Sequence, residues 1–254
     1  MPDNYIITPY FLEKPVPELA SLPFRDATLN DEMIDHEDPV ARFTSLYPKL
    51  TDFVHRSLEQ GHRPVSIAGD CCNTIAVMAG LQRANMDATL IWIDAHGDFN
   101  THDTTPSGFL GGMPLAMIAG LGDMSLCETV DLTPLDGKKI ILTDGRDLDP
   151  GEADLVENSN LLHVANMAEL LTMELPDGPL YVHFDTDIIN LDEMSAVAYP
   201  APGGPSAAIV TEVLSHLGNT GQVAAASMTC WTPELDNDNH CQDMCVKAFK
   251  ALLG

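Results

Sequence analysis

Residues 88–100 read ATLIWIDAHGDFN, and this stretch decides the fold. ATLIWI is an uninterrupted run rich in β-branched and aromatic residues, the composition of a strand buried on both faces. It then breaks into Asp94, His96 and Asp98 at alternate positions. Two acids and an imidazole at the end of a buried strand are costly unless compensating positive charge lies among them.

The same pattern recurs downstream. PLYVHFDTD, residues 179–187, is another apolar run ending in His183, Asp185 and Asp187. At i, i+2 and i+4 of a strand these three side chains would share one face. Working outward, PVSIAG (64–69), KIILTDG (139–145), LLHV (161–164) and QVAAASMT (222–229) also predict strands. Between them NTIAVMAGLQRA (73–84), GMPLAMIAGL (112–121), ANMAELLT (165–172), PSAAIVTEVLSHL (205–217) and DMCVKAFKALLG (243–254) predict helices. The first sixty residues, Pro-rich and acidic, predict irregular chain plus one helix. Strands separated by helices predict an α/β fold: a mostly parallel sheet covered on both faces, in a single domain over 1–254. In such sheets ligands bind beyond the carboxyl ends of the strands. Gly69 to Cys72, Asp94 to Asn100, Gly145 to Glu152, and the HFDTD acids all fall at those ends.

Composition narrows the function classes. The 254 residues carry 38 Asp plus Glu against 12 Lys plus Arg, a net charge of −26. That balance argues against nucleic acid and anionic membrane as partners. Six cysteines, at 71, 72, 127, 230, 241 and 245, show no disulfide framework spacing, and Cys241 and Cys245 are four apart on an expected helix. The start, MPDNYIITPYF, lacks the basic and apolar regions of a secretory signal, and no apolar run reaches membrane-spanning length. A reducing, cytoplasmic setting is the expectation.

Asp94, Asp98, Asp185 and Asp187 with His96 offer mostly hard oxygen donors and some nitrogen, a set that suits Mn²⁺ or a similar divalent ion. There are enough carboxylates to bridge two ions, and such a pair lowers the pKa of a shared water toward neutrality.

These residues carry a resemblance. DAHGDFN and HFDTD resemble the two aspartate-rich motifs of the ureohydrolase family, the arginases and agmatinases. AGDCCN resembles that family's GGDHS, TTPSG (104–108) its substrate loop, and GRDLDPGE (145–152) and the TP of CWTPELD (230–236) follow in family order. The resemblance implies a three-layer α/β/α sandwich and two divalent metal ions, manganese foremost. Asp94 and Asp185 would bridge the metals, Asp98 bind one, and His96 and Asp187 the other. It also implies that Asp149 receives a substrate α-amino group, with Asn100, Thr105 and Ser107 contacting the α-carboxylate and α-amino group. Neutral donors suit a carboxylate and an acid suits an ammonium, so the implied substrate is a small guanidino amino acid. Ureohydrolases are commonly homo-oligomers, trimers or hexamers, and nothing in these residues marks an interface.

Three departures bear on the substrate. Cys71 stands where the family has a metal-binding His, and a thiolate ligand shifts preference toward softer ions. Gly111 replaces the His that in arginases shuttles protons. Cys230 aligns with the Glu that pairs with the guanidinium, a loss worth roughly 2–4 kcal/mol for a buried charged contact. An N-hydroxylated guanidine is less basic and can bind neutral. One branch of the family acts on Nω-hydroxy-L-arginine, and a Cys at the metal-binding position fits it; the products would be L-ornithine and hydroxyurea. In the mechanism so implied, a metal-activated water attacks the guanidine carbon and Asp98 or Asp187 relays its proton. His183, where the arginase pattern has a small hydroxyl residue, is the candidate for the missing shuttle, with His102 second. Three other readings stay open on the sequence: an arginase-type hydrolase of another guanidino or amidino acid, Cys71 as a nucleophile in amidino transfer, and a non-catalytic homologue acting as a regulatory or assembly subunit.

Overall fold

The computed structural model describes residues 1–254. Its strands are β1 (Asp3–Thr8), β2 (Tyr10–Phe11), β3 (Lys14–Pro15), β4 (Thr28–Leu29), β5 (Arg63–Ala68), β6 (Thr89–His96), β7 (Ile140–Asp147), β8 (Leu162–Val164), β9 (Leu180–Asp185) and β10 (Val223–Thr229). Its helices are α1 (Pro39–Thr44), α2 (Tyr47–Glu59), α3 (Asn73–Arg83), α4 (Pro114–Ile118), α5 (Ser125–Glu128), α6 (Pro150–Asn158), α7 (Ala207–Asn219) and α8 (His240–Leu253). Eight strands form one parallel sheet in the order β4-β1-β5-β10-β9-β6-β7-β8, while β2 and β3 make a small antiparallel pair.

Alternation along the central strands divides the core. Val65, Ile67, Ile91, Ile93, Val182 and Phe184 point to the side covered by α7 and α8. Leu90, Trp92, Tyr181 and Ala225 point to the side covered by α2 and α3. Burying each such large side chain contributes about 1.5–3 kcal/mol relative to exposure, so a strand clad on both faces is held far better than its backbone ladder alone would hold it. The result is the expected three-layer α/β/α arrangement with a parallel central sheet. After β8 the chain returns to insert β9 and β10 between β5 and β6. The carboxyl ends of β5, β10, β9, β6 and β7 therefore stand side by side.

The structure adds helices α5 and α6 and the β2–β3 pair to the expected elements, and departs from the sequence expectations at four further places. The N-terminal sixty residues contain two helices, α1 and α2, and a sheet strand, β1, which pairs with β5 over six register positions from Asp3↔Arg63 to Thr8↔Ala68. DNYIIT is short and set between prolines, so its stability comes from a partner sixty residues away. The helix expected over 112–121 is cut to α4, because Pro114 sits in its first turn and Gly120 ends it at φ 82°. The helix expected over 165–172 is a 3₁₀ turn, Met167–Leu171, capped by the Asn166 side chain and burying Met167 and Leu170 at the three-residue spacing of that helix. Finally, β9 stops at Asp185, and Asp187 lies in a following 3₁₀ turn, Thr186–Ile188, rather than on the strand face.

Candidate metal centre and substrate cleft

The ends of β5, β9 and β6 bring together every residue expected to bind metal. At the end of β6, His96 N donates to Asp94 Oδ1 at 2.7 Å, and Trp92 Nε1 donates to Asp94 Oδ2 at 3.1 Å. His96 Nδ1 faces Asp187 Oδ2 at 2.9 Å, and Ala95 N donates to Asp187 Oδ1 at 3.2 Å. The 3₁₀ turn after β9 thus aims Asp187 back across β6, which a continued strand would not have done. Cys71, one residue past the β5 loop acid Asp70, places Sγ 2.9 Å from Asp185 Oδ2 and 3.3 Å from Thr229 Oγ1. Two sets of ligand atoms lie within 4.8 Å of one another: Asp94, His96 and Asp187, and Cys71, Asp94, His183 and Asp185. Asp94 belongs to both. Asp98 joins them on the wall of the same cleft.

Local backbone conformation makes this convergence possible. Asp98 and Cys230 adopt left-handed φ values of 47° and 68° just past β6 and β10. A non-glycine residue holds such a conformation only where its surroundings over-determine it. The Asp98 carbonyl accepts the Leu115 and Ala116 N–H groups at the start of α4, which fixes that turn. Gly97 lets Glu152 approach, since a Cβ there would lie 2.5 Å from Glu152 Oε1. Glu152 in turn accepts Phe99 N at 2.8 Å and Asp149 N at 3.0 Å, the second as half of a capping box that starts α6. On the far side the Arg146 guanidinium donates to the carbonyls of Asp187, Ile188, Ala201 and Pro202 and to Asp144 Oδ1. It rivets the loop after β9 to β7.

The electrostatics are those of an anion cluster suited to a cation. Burial, then the Asp187 carboxylate, pushes Asp94 up to about 7. Burial and Asp94 push Asp98 well above its usual range, and burial with Asp187 and Asp94 does the same to Asp185. Burial opposes the charge on His96, but its contacts with Asp187 and Asp94 outweigh it and drive the ring up to about 12. Burial would also raise Asp187, yet its bond to His96 holds it below the ordinary carboxylate value. Buried carboxylates forced to share protons and one imidazolium, with oxygen, nitrogen and sulfur donors at ligand spacing, fit two divalent ions.

The substrate-side residues line the same cleft of about 190 Å³. Asn100 Nδ2 donates to Asp149 Oδ2 at 2.9 Å, and Asn100 Oδ1 accepts Thr104 Oγ1 at 2.9 Å. Thr105 and Ser107 sit on the exposed lip, their hydroxyls 3.5 Å apart. Cys230 reaches the cleft floor, where its Sγ lies 3.6 Å from Cys71 Sγ. The hydrogen bond from Cys71 favours a Cys230 thiolate, but burial and Asp185 overcome it and raise the thiol well above its ordinary range. Burial, Cys230 and Asp185 raise Cys71 likewise. That is the reverse of an activated nucleophile, and it speaks against amidino transfer through Cys71. Cys241 and Cys245, buried in α8, lie outside the cleft.

Two shuttle candidates are misplaced. His183 is wholly buried beneath Asp185 and is absent from the cleft wall. Burial depresses it to about 3, only partly offset by Asp187, so it neither reaches a departing amine nor carries a proton near neutral pH. His102 is exposed, 3.9 Å from Asp123. Gly111 is on the wall, and the space a side chain would take there is filled: a Cβ would lie 2.4 Å from the Phe109 ring. Sequence reasoning missed this ring, together with Phe11, which stacks on it at a centroid distance of 6.3 Å, and Tyr199, which packs tilted against it at 4.9 Å, at the mouth. Phe109 adjoins the TTPSG loop and had that signal; Tyr199 and Phe11 come from distant segments and had none.

Comparison with known proteins agrees with this geometry. A model of the arginase family matches residues 12–254. The arginase of Bacillus subtilis (strain 168) is 29% identical over 245 residues, covering 90% of this chain and 82% of that protein. An N(omega)-hydroxy-L-arginine amidinohydrolase from Streptomyces lavendulae is 30% identical over 151 residues, covering 58% of this chain and 53% of its own. Among solved structures, Entamoeba histolytica arginase in complex with L-ornithine superposes with a TM-score of 0.86 at 21% identity, covering all of both chains. No helix is long and apolar enough to cross a membrane.

Proposed function

The chain belongs to the arginase family, and from that footing we propose that it hydrolyses Nω-hydroxy-L-arginine to L-ornithine and hydroxyurea. Members of the family are ureohydrolases that cleave a guanidino group at a binuclear metal centre, and this chain is an enzyme of that type. The substrate assignment rests on one observation: Cys230, at the position of the guanidinium-pairing Glu, puts a half-buried thiol rather than a carboxylate on the cleft floor, its Sγ 3.6 Å from Cys71 Sγ and its acidity weakened by burial and Asp185. A guanidinium stays protonated at any working pH and would find no dedicated carboxylate there. A neutral N-hydroxyguanidine needs none. The Streptomyces lavendulae relative bears the corresponding name, which supports the same reading.

The cleft divides the work along its length. Asp149 takes the α-ammonium, and Asn100, already bonded to Asp149, donates toward the α-carboxylate with Thr105 and Ser107 at the lip. Asp94, Asp185, Cys71, Asp98, His96 and Asp187 would hold a pair of divalent ions, with Asp94 common to both sets of ligand atoms. Manganese fits the carboxylate majority, and the thiol tilts one position toward a softer ion. Such ions supply a water ionised near neutral pH. Asp98, on the cleft wall, would take up a proton from the attacking water. It returns the proton to the δ-nitrogen as the C–N bond breaks and ornithine departs. Phe109, Phe11 and Tyr199 close the mouth over the reacting group and exclude bulk water.

The test is a side-by-side assay of the Mn²⁺-loaded protein, with hydroxyurea and urea quantified by chromatography. Nω-hydroxy-L-arginine should give the higher kcat/KM by at least tenfold. Fast urea release from micromolar L-arginine would sink the substrate assignment.

A further inference from the structure

His183 has no role in the chemistry above, yet it is the one fully buried histidine of the chain. It sits in the middle of β9, flanked by Trp92 of β6 in register on one side and Ser227 of β10 on the other. Its Nδ1 lies 3.1 Å from Thr74 Oγ1 and 2.9 Å from Ser227 Oγ, and the ring is wedged 4.0 Å from the Trp92 ring. Tyr181 OH, 2.9 Å from the same Ser227 hydroxyl, holds that hydroxyl in turn. Nε2, in contrast, has no hydrogen-bond partner, although the residue is completely buried. Orphaned buried polar atoms are uncommon in native proteins and mark a missing ion, water or function.

A ring nitrogen of His183 lies within 4.8 Å of Cys71 Sγ and of carboxylate oxygens on Asp94 and Asp185. That is the scale of spacing shown by atoms sharing one ion, since each ligand stands about 2.0–2.3 Å from the metal. We propose that His183 is a metal ligand, supplying Nε2 from beneath the sheet rim to the ion held by Cys71, Asp94 and Asp185. The inference deepens, and rests on, the reading of this cluster as a binuclear centre. Thr74 and Ser227 then have a clear purpose. By engaging Nδ1 they fix the tautomer and ring orientation, the service that hydrogen-bonding partners give most metal-bound histidines. The consequence is an asymmetric pair of sites. One is built from His96, Asp187 and shared carboxylate. The other is built from imidazole, thiol and shared carboxylate, and it favours cobalt, iron or zinc over manganese more strongly than its neighbour does.

The two imidazoles differ in the nitrogen they offer, and that gives a readout independent of turnover. His96 presents Nδ1 to the cluster, whereas His183 has Nε2 free. The whole chain, labelled with nitrogen-15 histidine and loaded with cadmium-113, should show metal–nitrogen scalar couplings to one Nδ1 and one Nε2. In His183→Gln the Nε2 coupling should vanish while the Nδ1 coupling remains, and affinity for the more weakly retained ion should fall about 100-fold, the upper end of what losing a supporting residue costs. Should His183→Gln fail to fold, the wild-type couplings alone decide. Bound cadmium coupled only to Nδ1 would overturn the role of His183 and leave the binuclear reading intact. No bound metal by mass spectrometry would overturn both.

Discussion

Cys71 Sγ and Cys230 Sγ stand 3.6 Å apart on the cleft floor, so two departures from the family pattern meet at one point. On the proposed reading one sits at a metal-ligand position and the other at the guanidinium-pairing position. In the metal-free protein burial and the carboxylate of Asp185 push both thiols up. On the proposed reading they put two soft sulfur groups where the family pattern has an imidazole and a carboxylate. The tail end of the substrate pocket thereby loses a negative charge at the same place where the metal site loses a nitrogen.

Restoring the carboxylate should reverse the substrate preference. Cys230→Glu keeps a residue with a Cβ at φ 68°, so it adds no new backbone strain. It offers a bidentate partner to a guanidinium. We expect kcat/KM for L-arginine to rise about tenfold or more, in line with a charged hydrogen bond of about 1.5–3 kcal/mol, and that for Nω-hydroxy-L-arginine to fall. Steady-state kinetics on both substrates checks this; unchanged ratios would show that Cys230 does not face the tail.

Metal-free protein should lose stability as pH rises. Asp94 moves from an ordinary 3.8 to about 7 in the fold. Between those values the native state holds a proton that the unfolded chain has released, so stability falls with increasing pH. His96, raised from 6.5 to about 12, has the same sign: its contribution is complete below 6.5 and drains away toward 12. Asp187, lowered by His96, acts oppositely and only at the acid end. Divalent ions bind the deprotonated carboxylates, so their stabilisation grows with pH. His183, lowered by burial to about 3, opposes this only below 6.5, so melting curves with chelator should drop from pH 6.5 to pH 8, and the increment from Mn²⁺ should widen over the same range. A metal increment independent of pH would contradict the assignment of the carboxylates as ligands.

The central fold was legible because its signals are local. Apolar runs such as ATLIWI and PLYVHF fix the strands, and acids at their ends fix the rim of the site. What escaped depends on contacts distant in sequence. β1 exists through its ladder to β5, and the inward aim of Asp187 depends on the Ala95 N–H and His96 rather than on strand alternation. The face shared by His183 and Asp185 was readable from spacing, but the depth at which His183 lies was not. Only the packing of Trp92 and the hydroxyls of Thr74 and Ser227 set it below the cleft. The rivet formed by Arg146 and the aromatic mouth are equally tertiary: each joins segments that carry no periodic mark.

The Phe109 ring occupies the position from which a residue-111 side chain would enter the cleft. Installing the missing shuttle by Gly111→His alone should therefore fail. The new Cβ would meet the ring at 2.4 Å, and overpacking of that kind costs about 1–3 kcal/mol. The single variant should melt several degrees lower without gaining turnover. In Phe109→Ala/Gly111→His the space is released, and the imidazole can reach the departing amine. The double variant should recover stability relative to Gly111→His and show an added ionisation near 6.5, the unperturbed histidine value, in the pH dependence of kcat/KM. A single variant as stable as the parent, with that ionisation already present, would mean that the Phe109 ring moves aside readily and does not guard the position.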